Sequence, residues 1–291
     1  MPERLAGIHV ADLAPGDRGA AGYDWCGKRI HRIRSAEHAW FERAYERLWQ
    51  EFGARAEMEE RAVIEGRLRW RPSEPVGGHA LLYELVAIEG DGDLLAVRDH
   101  TAIARLAAER SARPAIVVHL SHAWVKPSHR RTGLAGWLRA LPLSAARDCA
   151  ELAGAAPAGP IDLVAEMEPP SRAHPERAIR LHAYERAGFR MIDPATVAYL
   201  QPDFRPAVEI DATGLAPLPL VLIVRRVGAE EEERLPAAEV CAIVGALYRM
   251  YEQHLRARDM QILWEHLDGL LDGRGPVRLV GPASSRTEAA R

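Results

Sequence analysis

The sequence predicts an α+β fold, in which helices flank a twisted, mixed and mostly antiparallel sheet of about six or seven strands. Short apolar runs typical of strands alternate with helical patterns over much of the 291 residues. After residue 228 the apolar residues recur at helical spacing, which predicts a helical C-terminal extension. We therefore expect a loosely structured lead-in over residues 1–27, a principal domain over 28–228, and the extension with its tail over 229–291.

In the N-terminal half, the pattern predicts an edge strand, a helix with aromatic residues on one face, a second helix, a β-hairpin and a third helix. These elements cover residues 29–34, 40–52, 54–68, 81–97 and 101–111, respectively. The hairpin is indicated by two apolar runs that are separated by a glycine-containing turn. The aromatic face of the first helix predicts packing into the core rather than a binding surface.

In the C-terminal half, strands and helices alternate before the extension begins. A helix that ends at Gly188 is indicated because glycine readily takes the left-handed conformation that follows many helices. The predicted strands cover residues 115–125, 161–167 and 220–227. The predicted helices cover residues 132–141, 145–152, 176–187, 237–255 and 260–271.

Composition and charge narrow the function classes. Hydrophobic residues make up 48% of the chain and charged residues 27%, the balance of a soluble globular protein. The net charge of −3 argues against nucleic acid as a partner. No apolar run is long enough to span a bilayer, so we expect a cytoplasmic protein with no membrane contact. The three cysteines form no CxxC pair, which predicts neither a disulfide framework nor a zinc ribbon.

One segment connects a predicted strand to a predicted helix and carries most of the functional argument. Residues 125–135 read Val-Lys-Pro-Ser-His-Arg-Arg-Thr-Gly-Leu-Ala. This segment resembles the acyl-coenzyme A (acyl-CoA) binding signature of the GNAT superfamily of N-acetyltransferases, with Arg130, Gly133 and Ala135 at the matching positions. A diphosphate needs several converging N–H donors, which the first turn of a helix offers. Gly133 and Ala135 let oxygen atoms approach the backbone, and Arg130 adds a cationic fork.

The resemblance implies acetyl-CoA, or another acyl-CoA, as the co-substrate. It also implies that backbone N–H groups at the end of the preceding strand hold the thioester carbonyl and stabilise the oxyanion. The expected donor-binding residues are Ala123, Trp124, Val125, Arg130, Arg131, Thr132, Gly133, Leu134 and Ala135.

A later helix adds to the resemblance. Residues 184–189 read Tyr-Glu-Arg-Ala-Gly-Phe, similar to the end of a late GNAT helix whose tyrosine is thought to protonate the departing thiolate. Tyr184 stands at that position. The strand over 161–167 looks like the fifth strand of the family, which splays from the fourth and leaves a slot for the pantetheine arm. The asparagine that many relatives carry after this strand is missing over residues 169–176.

The attacking amine must lose a proton, so a carboxylate or a histidine is expected near the thioester. Glu166 and Glu168 share one face of a strand end, and we favour Glu166 as the base and Glu168 as the amine-binding group. His119 and His122 are rivals, but they have opposite parity, so only one of them faces the cleft in a regular strand. His174, in the following loop, is a further candidate.

The sequence as a whole predicts an acyl-CoA-dependent N-acyltransferase that acylates a primary amine, either a small molecule or a peptide, by direct attack in a ternary complex. Longer acyl-CoA or acyl-carrier-protein donors remain an alternative, as does a non-catalytic acyl-CoA sensor. Motifs of metal sites are missing, so no metal is expected. The C-terminal helices are expected to serve as an interface in a homodimer.

Overall fold

The computed structural model describes residues 4–5, 7–55, 57–106, 115–155, 160–171, 173–270 and 275–282. The chain divides into two compact units. The first comprises residues 1–110 and 118–158, and the second comprises residues 111–117 and 159–291. The residue pattern instead predicts boundaries at residues 27/28 and 228/229. A pattern along the sequence does not show which segments contact one another in the fold.

The first unit contains a small ribbon and a sheet. In the sheet the order of strands is β6-β5-β4-β3. Strand β3 pairs antiparallel with β4, and β4 pairs antiparallel with β5. The β4–β5 hairpin is confirmed, with Asp91 and Gly92 at positive φ in its turn. The strands are β1 (Arg4–Leu5), β2 (Ile8–His9), β3 (Lys28–Ile33), β4 (His79–Gly90), β5 (Asp93–Arg105) and β6 (Ile116–Val125).

Helices of the first unit follow the predicted order but differ in length. The aromatic-faced helix is confirmed as α1 (Phe41–Phe52), which buries Phe41, Tyr45 and Leu48. The second helix, α2 (Arg61–Arg67), is shorter than predicted. The last two helices of this unit, α3 (Leu134–Ala140) and α4 (Pro142–Leu152), follow β6.

The helix predicted over residues 101–111 is wrong where the structure describes it. Strand β5 continues to Arg105, and residues 107–111 lie outside the described residues. Thr101, Ala102, Ile103 and Ala104 are all buried, so this part of the strand is covered on both faces. A strand of that kind shows no polar and apolar alternation, and its sequence cannot be told from a buried helix.

The N-terminal segment is more ordered than the predicted loose lead-in. A 3-10 helix covers Pro15–Gly22, and Leu13, Ala14, Ala20 and Tyr23 are buried. The segment packs against α3, where the Trp137 Nε1–H donates to the carbonyl of Ala20 at 2.7 Å. This contact between distant parts of the sequence has no local pattern that would predict it.

The strands of the second unit pair antiparallel with one another. Their order is β11-β12-β8-β10-β7, and β9 pairs with β10. The sequence predicted β7 at its observed bounds but missed β12, which lies where only helix and tail were expected. The strands are β7 (Ile161–Met167), β8 (Arg190–Ile192), β9 (Tyr199–Gln201), β10 (Leu218–Arg226), β11 (Arg234–Leu235) and β12 (Val277–Val280).

Four helices complete the described part of the second unit. The apolar face predicted for the first helix of the extension is confirmed, because Val240, Ile243, Leu247 and Tyr251 are buried. The helices are α5 (Pro175–Arg186), α6 (Ala207–Thr213), α7 (Ala237–Tyr251) and α8 (Ala257–Leu270). The strand pairs described above are antiparallel, and helices accompany both sets of strands, so the predicted fold class is confirmed. The predicted tail lies largely outside the described residues, which end at 282.

Within the described residues, no helix is both long enough and apolar enough to cross a membrane.

Candidate functional site

The loop between β6 and α3 is fixed at both of its ends. At its start, the backbone N–H of Lys126 donates to the carbonyl of Leu95 on β5 at 2.8 Å. At its end, Leu134 and Trp137 of α3 are buried in an apolar cluster with Val86 of β4. Burial of side chains of this size stabilises a fold by about 1.5–3 kcal/mol each, so the helix holds the loop against the sheet.

Two residues of this loop have the left-handed backbone conformation. Gly133 has φ of +100° and precedes the first residue of α3, and Arg131 has φ of +63°. This conformation costs a residue with a Cβ about 1–2 kcal/mol. Arg131 is therefore strained, whereas Gly133 is not. Left-handed residues among right-handed ones turn successive N–H groups toward a common side, which is how backbone nests bind anions.

The backbone N–H groups of residues 131–135 donate to no acceptor among the described residues. The flanking N–H groups are paired: that of His129 donates to the carbonyl of Lys126 at 2.8 Å, and that of Gly136 to the carbonyl of Gly133 at 3.0 Å. A buried backbone N–H group without a partner destabilises the fold unless water or a ligand accepts its hydrogen bond. We name residues 131–135 the amide cradle.

The cations beside the amide cradle differ in their availability. The Nε–H of Arg130 donates to the carbonyl of Val125 at 3.2 Å, which leaves the rest of its guanidinium exposed. Arg131 is exposed, and its side chain has no ion-pair partner in the described part of the chain. Lys126 is paired with Asp93 at 2.8 Å. The two arginines are therefore the groups that can meet an anion here.

Gly133 also has a packing role that the sequence did not predict. A Cβ atom at this position would lie 3.0 Å from the Cα of Ala20, in the N-terminal segment. Gly136 is constrained in the same way, because its Cβ would lie 3.1 Å from the Cβ of Asp17. Asp17 in turn pairs with Arg139 of α3 at 2.5 Å. Gly133 and Gly136 thus leave room for the N-terminal segment. Their lack of side chains also leaves the backbone accessible.

The strand end that precedes the loop carries the predicted thioester-binding amides. Ala123 is exposed, and Trp124 and Val125 are half-buried. The guanidinium of Arg47, on α1, lies 4.7 Å from the centroid of the Trp124 ring, so a cation–π contact links α1 to this strand end.

His122 is not available as a proton acceptor. Its Nδ1 lies 3.0 Å from the carboxylate of Asp99, and its Nε2 lies 2.7 Å from the carbonyl oxygen of Glu57. Both partners are acceptors, so both ring nitrogens carry protons. Burial opposes this charge, but the charge and hydrogen bond of Asp99 raise the pKa of His122 to about 9. Tyr83 donates to the same carboxylate at 2.9 Å. These contacts favour a buried imidazolium in an ion pair and argue against the catalytic role predicted for His122.

The other two histidine candidates have surroundings different from those of His122. His119 is buried, and its Nδ1 lies 3.3 Å from the hydroxyl oxygen of Ser121. His174 is exposed at the start of α5, and its Nδ1 lies 3.2 Å from Glu176. Neither contact assigns a catalytic role to these residues.

Glu166 is the penultimate residue of β7, whereas Glu168 follows the end of this strand, and their surroundings in the second unit differ. The two oxygens of Glu166 accept hydrogen bonds from the hydroxyl groups of Tyr199 and Tyr251. Glu168 forms ion pairs with Arg177 and Arg180 of α5. A carboxylate balanced by two guanidinium groups attracts an ammonium group weakly. This arrangement argues against the amine-binding role predicted for Glu168.

The tyrosines on Glu166 were not identified from the sequence. The pattern predicts Tyr251 only as part of an apolar helix face, and no predicted strand or site includes Tyr199. The signal that could have identified them is the hydroxyl group itself, because a buried tyrosine usually finds a hydrogen-bond partner.

Tyr184 lies in the last turn of α5, two residues before its end. Its ring meets Phe189 edge to face, with centroids 4.9 Å apart, and its hydroxyl group has no partner among the described residues. The backbone N–H of Phe189 donates to the carbonyl of Tyr184 at 3.1 Å, and Gly188 has φ of +80°. The predicted glycine stop of this helix is therefore confirmed.

A surface cavity of about 500 Å³ lies beside α1 and α2 and contains none of the predicted site residues. Arg61 of its lining is ion-paired with Glu42 and Glu65. The remaining lining residues are Tyr45, Trp49, Glu60 and Ala62. Across the residues that the structure describes, no group of three or more His, Cys, Asp or Glu side chains is arranged to hold a metal ion.

No model of a known protein family matches the chain, and no curated protein matches it as a relative. Among solved structures, it is similar to a GNAT family acetyltransferase from Elizabethkingia anophelis with acetyl-CoA bound. The identity is 12%, the TM-score is 0.35, and the match covers 69% of this chain and 98% of that one.

Two further solved structures are similar over 69% of this chain. An acetyltransferase from Streptococcus agalactiae has 10% identity, a TM-score of 0.37 and 98% of its own chain covered. A ribosomal-protein alanine N-acetyltransferase from Escherichia coli has 17% identity, a TM-score of 0.29 and 94% of its chain covered. At TM-scores below 0.5 such likeness does not establish function, which must be inferred from the residues of this chain.

The ion pair of His122 predicts a stability that depends on pH. The imidazolium has a raised pKa, so its contribution is complete below pH 6.5 and is lost as the pH rises through about 9. We expect the difference in unfolding free energy between the wild type and His122→Gln to shrink by about 3 kcal/mol over that window. Chemical denaturation at several pH values measures it. His182→Gln, which changes an exposed histidine, is the control. A difference that stays constant with pH would contradict the ion pair.

Proposed function

We propose that the chain is an acyl-CoA-dependent acyltransferase that transfers an acyl group, in the simplest case acetyl, to a primary amine. The observation that carries the proposal is the amide cradle. It offers five consecutive N–H donors that have no acceptor among the described residues, beside two exposed arginines, at the strand-to-helix position of the acyl-CoA signature. A diphosphate is the part of coenzyme A that such a donor set fits.

The physical basis lies in the loop rather than in the helix dipole. The helix α3 has seven residues, so its macrodipole is small. Hydrogen bonds from N–H groups to a charged oxygen contribute about 1.5–3 kcal/mol each, and the cradle has five N–H groups available among the described residues. Arg131 adds charge from a strained backbone position, and strain of this kind clusters at binding sites.

The chemistry that we propose is direct attack of the amine on the thioester. The amine nitrogen forms a bond to the acyl carbon, the carbon–sulfur bond breaks, and the products are an amide and coenzyme A. The N–H groups of Ala123, Trp124 and Val125 are the proposed donors to the oxyanion. From the second unit, we propose that Glu166 accepts the proton of the amine and that Tyr184 protonates the leaving thiolate.

The donor site is tested by Arg131→Gly. Glycine takes φ of +63° without strain, so this change removes a cation and does not lower the free energy of unfolding. We expect the affinity for coenzyme A to fall about tenfold, because one charge-assisted contact to phosphate is lost. Isothermal titration calorimetry with coenzyme A measures the change.

Asp91→Gly is the matched control for this experiment. Asp91 is the other non-glycine residue with positive φ in the described chain, at φ of +52°, and it lies in the β4–β5 turn. The substitution Asp91→Gly should relieve backbone strain as Arg131→Gly does, but it should not lower the affinity for coenzyme A. Equal affinities of Arg131→Gly and wild type, or no binding of coenzyme A by the wild type, would refute the proposed donor site.

The proposed role of Tyr184 is tested by Tyr184→Phe. The variant keeps the ring contact with Phe189 and loses only the hydroxyl group. We expect kcat to fall about a hundredfold, the typical contribution of a positioned acid, with the affinity for acetyl-CoA unchanged. The measurement is release of free thiol from acetyl-CoA with a panel of primary amines. A variant with the turnover of the wild type would remove Tyr184 from the mechanism.

A further inference from the structure

A carboxylate held by two phenols lies at the end of β7. Glu166 is half-buried, and its Oε1 and Oε2 accept hydrogen bonds from Tyr199 and Tyr251, respectively. Tyr199 and Tyr251 are each only 2% exposed. Tyr199 belongs to β9, whereas Tyr251 is the last residue of α7 in the C-terminal extension. Three elements that are distant in sequence therefore meet at one carboxylate. We call Glu166, Tyr199 and Tyr251 the phenol clamp.

The phenol clamp restricts both the position and the charge of Glu166. With a donor on each oxygen, the carboxylate has one preferred orientation. Donors to the ionised form stabilise it relative to the protonated form. Burial and the charge of Glu166 raise the pKa of Tyr199 well above its usual value, so its hydroxyl group stays protonated and continues to donate.

The other polar groups around the clamp have different partners. Tyr248, one turn before Tyr251, donates to the carbonyl of Leu200 at 2.9 Å. Glu168, two residues after Glu166 and just past the end of β7, pairs with Arg177 and Arg180. Opposite Glu166 in the sheet stands Leu222 of β10, which has no charge. Tyr199 and Tyr251 are thus the groups whose removal acts on Glu166 most directly.

We propose that Tyr199 and Tyr251 are positioning residues that orient Glu166 as the proton acceptor for the amine, so that the C-terminal extension forms part of the acceptor side of the enzyme. This inference rests on the proposed function. When the ammonium form of the acceptor binds, an N–H bond breaks and an O–H bond forms on Glu166, which leaves the nitrogen lone pair free to attack. Solvent then takes the proton from Glu166 and restores the carboxylate.

The pH dependence of turnover separates positioning from mere packing. We would measure kcat/KM with acetyl-CoA and an accepted amine as a function of pH in the wild type, Tyr251→Phe and Tyr199→Phe. Each variant loses one donor to the carboxylate, so the acidic limb of the profile should move to higher pH by about one unit.

Tyr248→Phe is the matched control, because it removes a buried hydroxyl group from the same helix without removing a donor to Glu166. Its acidic limb should coincide with that of the wild type. An acidic limb that does not move in either Tyr251→Phe or Tyr199→Phe would overturn the inference. Glu166→Gln with the turnover of the wild type would overturn it as well.

A second readout does not depend on activity. In protein labelled with carbon-13 at the glutamate carboxyl groups, Glu166→Gln identifies the Glu166 resonance by its disappearance. That resonance should titrate at higher pH in Tyr251→Phe than in the wild type, and an identical titration overturns the clamp. If the wild type itself turned over no amine, the proposed function would fail and the catalytic role of the clamp with it. If the wild type turns over an amine but the pH profiles of kcat/KM in Tyr251→Phe and Tyr199→Phe match that of the wild type, this inference is wrong and the proposed function stands.

Discussion

The connection between β6 and α3 leaves five backbone N–H groups without an acceptor in the part of the chain that the structure describes, and the proposed function depends on this feature. Unpaired donors persist only where the surrounding structure holds them. Here the buried face of α3 anchors one end, and the bond from Lys126 to Leu95 anchors the other. The left-handed conformations of Arg131 and Gly133 lie between these anchors. Strain and unpaired donors at one point are what a site for an anionic ligand requires.

Local patterns predicted much of the fold and the position of the loop. The bounds of β7, the aromatic face of α1 and the glycine stop after α5 each follow from residues close together in sequence. Contacts between distant segments could not be predicted in this way. The packing of Ala20 on Gly133 is one example, because a segment rich in alanine and glycine has no periodicity. The strand character of residues 101–105 is another, since burial on both faces removes the alternation.

Glu166 and Glu168 show why a strand pattern does not predict a role. Their spacing predicts a common strand face, but β7 ends at Met167, before Glu168. The partners then differ: Glu168 faces two guanidinium groups, whereas Glu166 accepts from two phenols. His122 makes the same point, because its partners fix both ring protons and exclude it as a base. In each case the chemistry is decided by residues far away in the sequence.

The most direct test of the account is the backbone amide spectrum of the protein labelled with nitrogen-15 and titrated with coenzyme A. If the cradle binds the diphosphate, the N–H protons of residues 131–135 should shift together, and their exchange with solvent should slow at saturation. Inorganic pyrophosphate should move the same resonances at higher concentration. Saturable binding that shifts other amides and leaves these five unchanged would contradict the account.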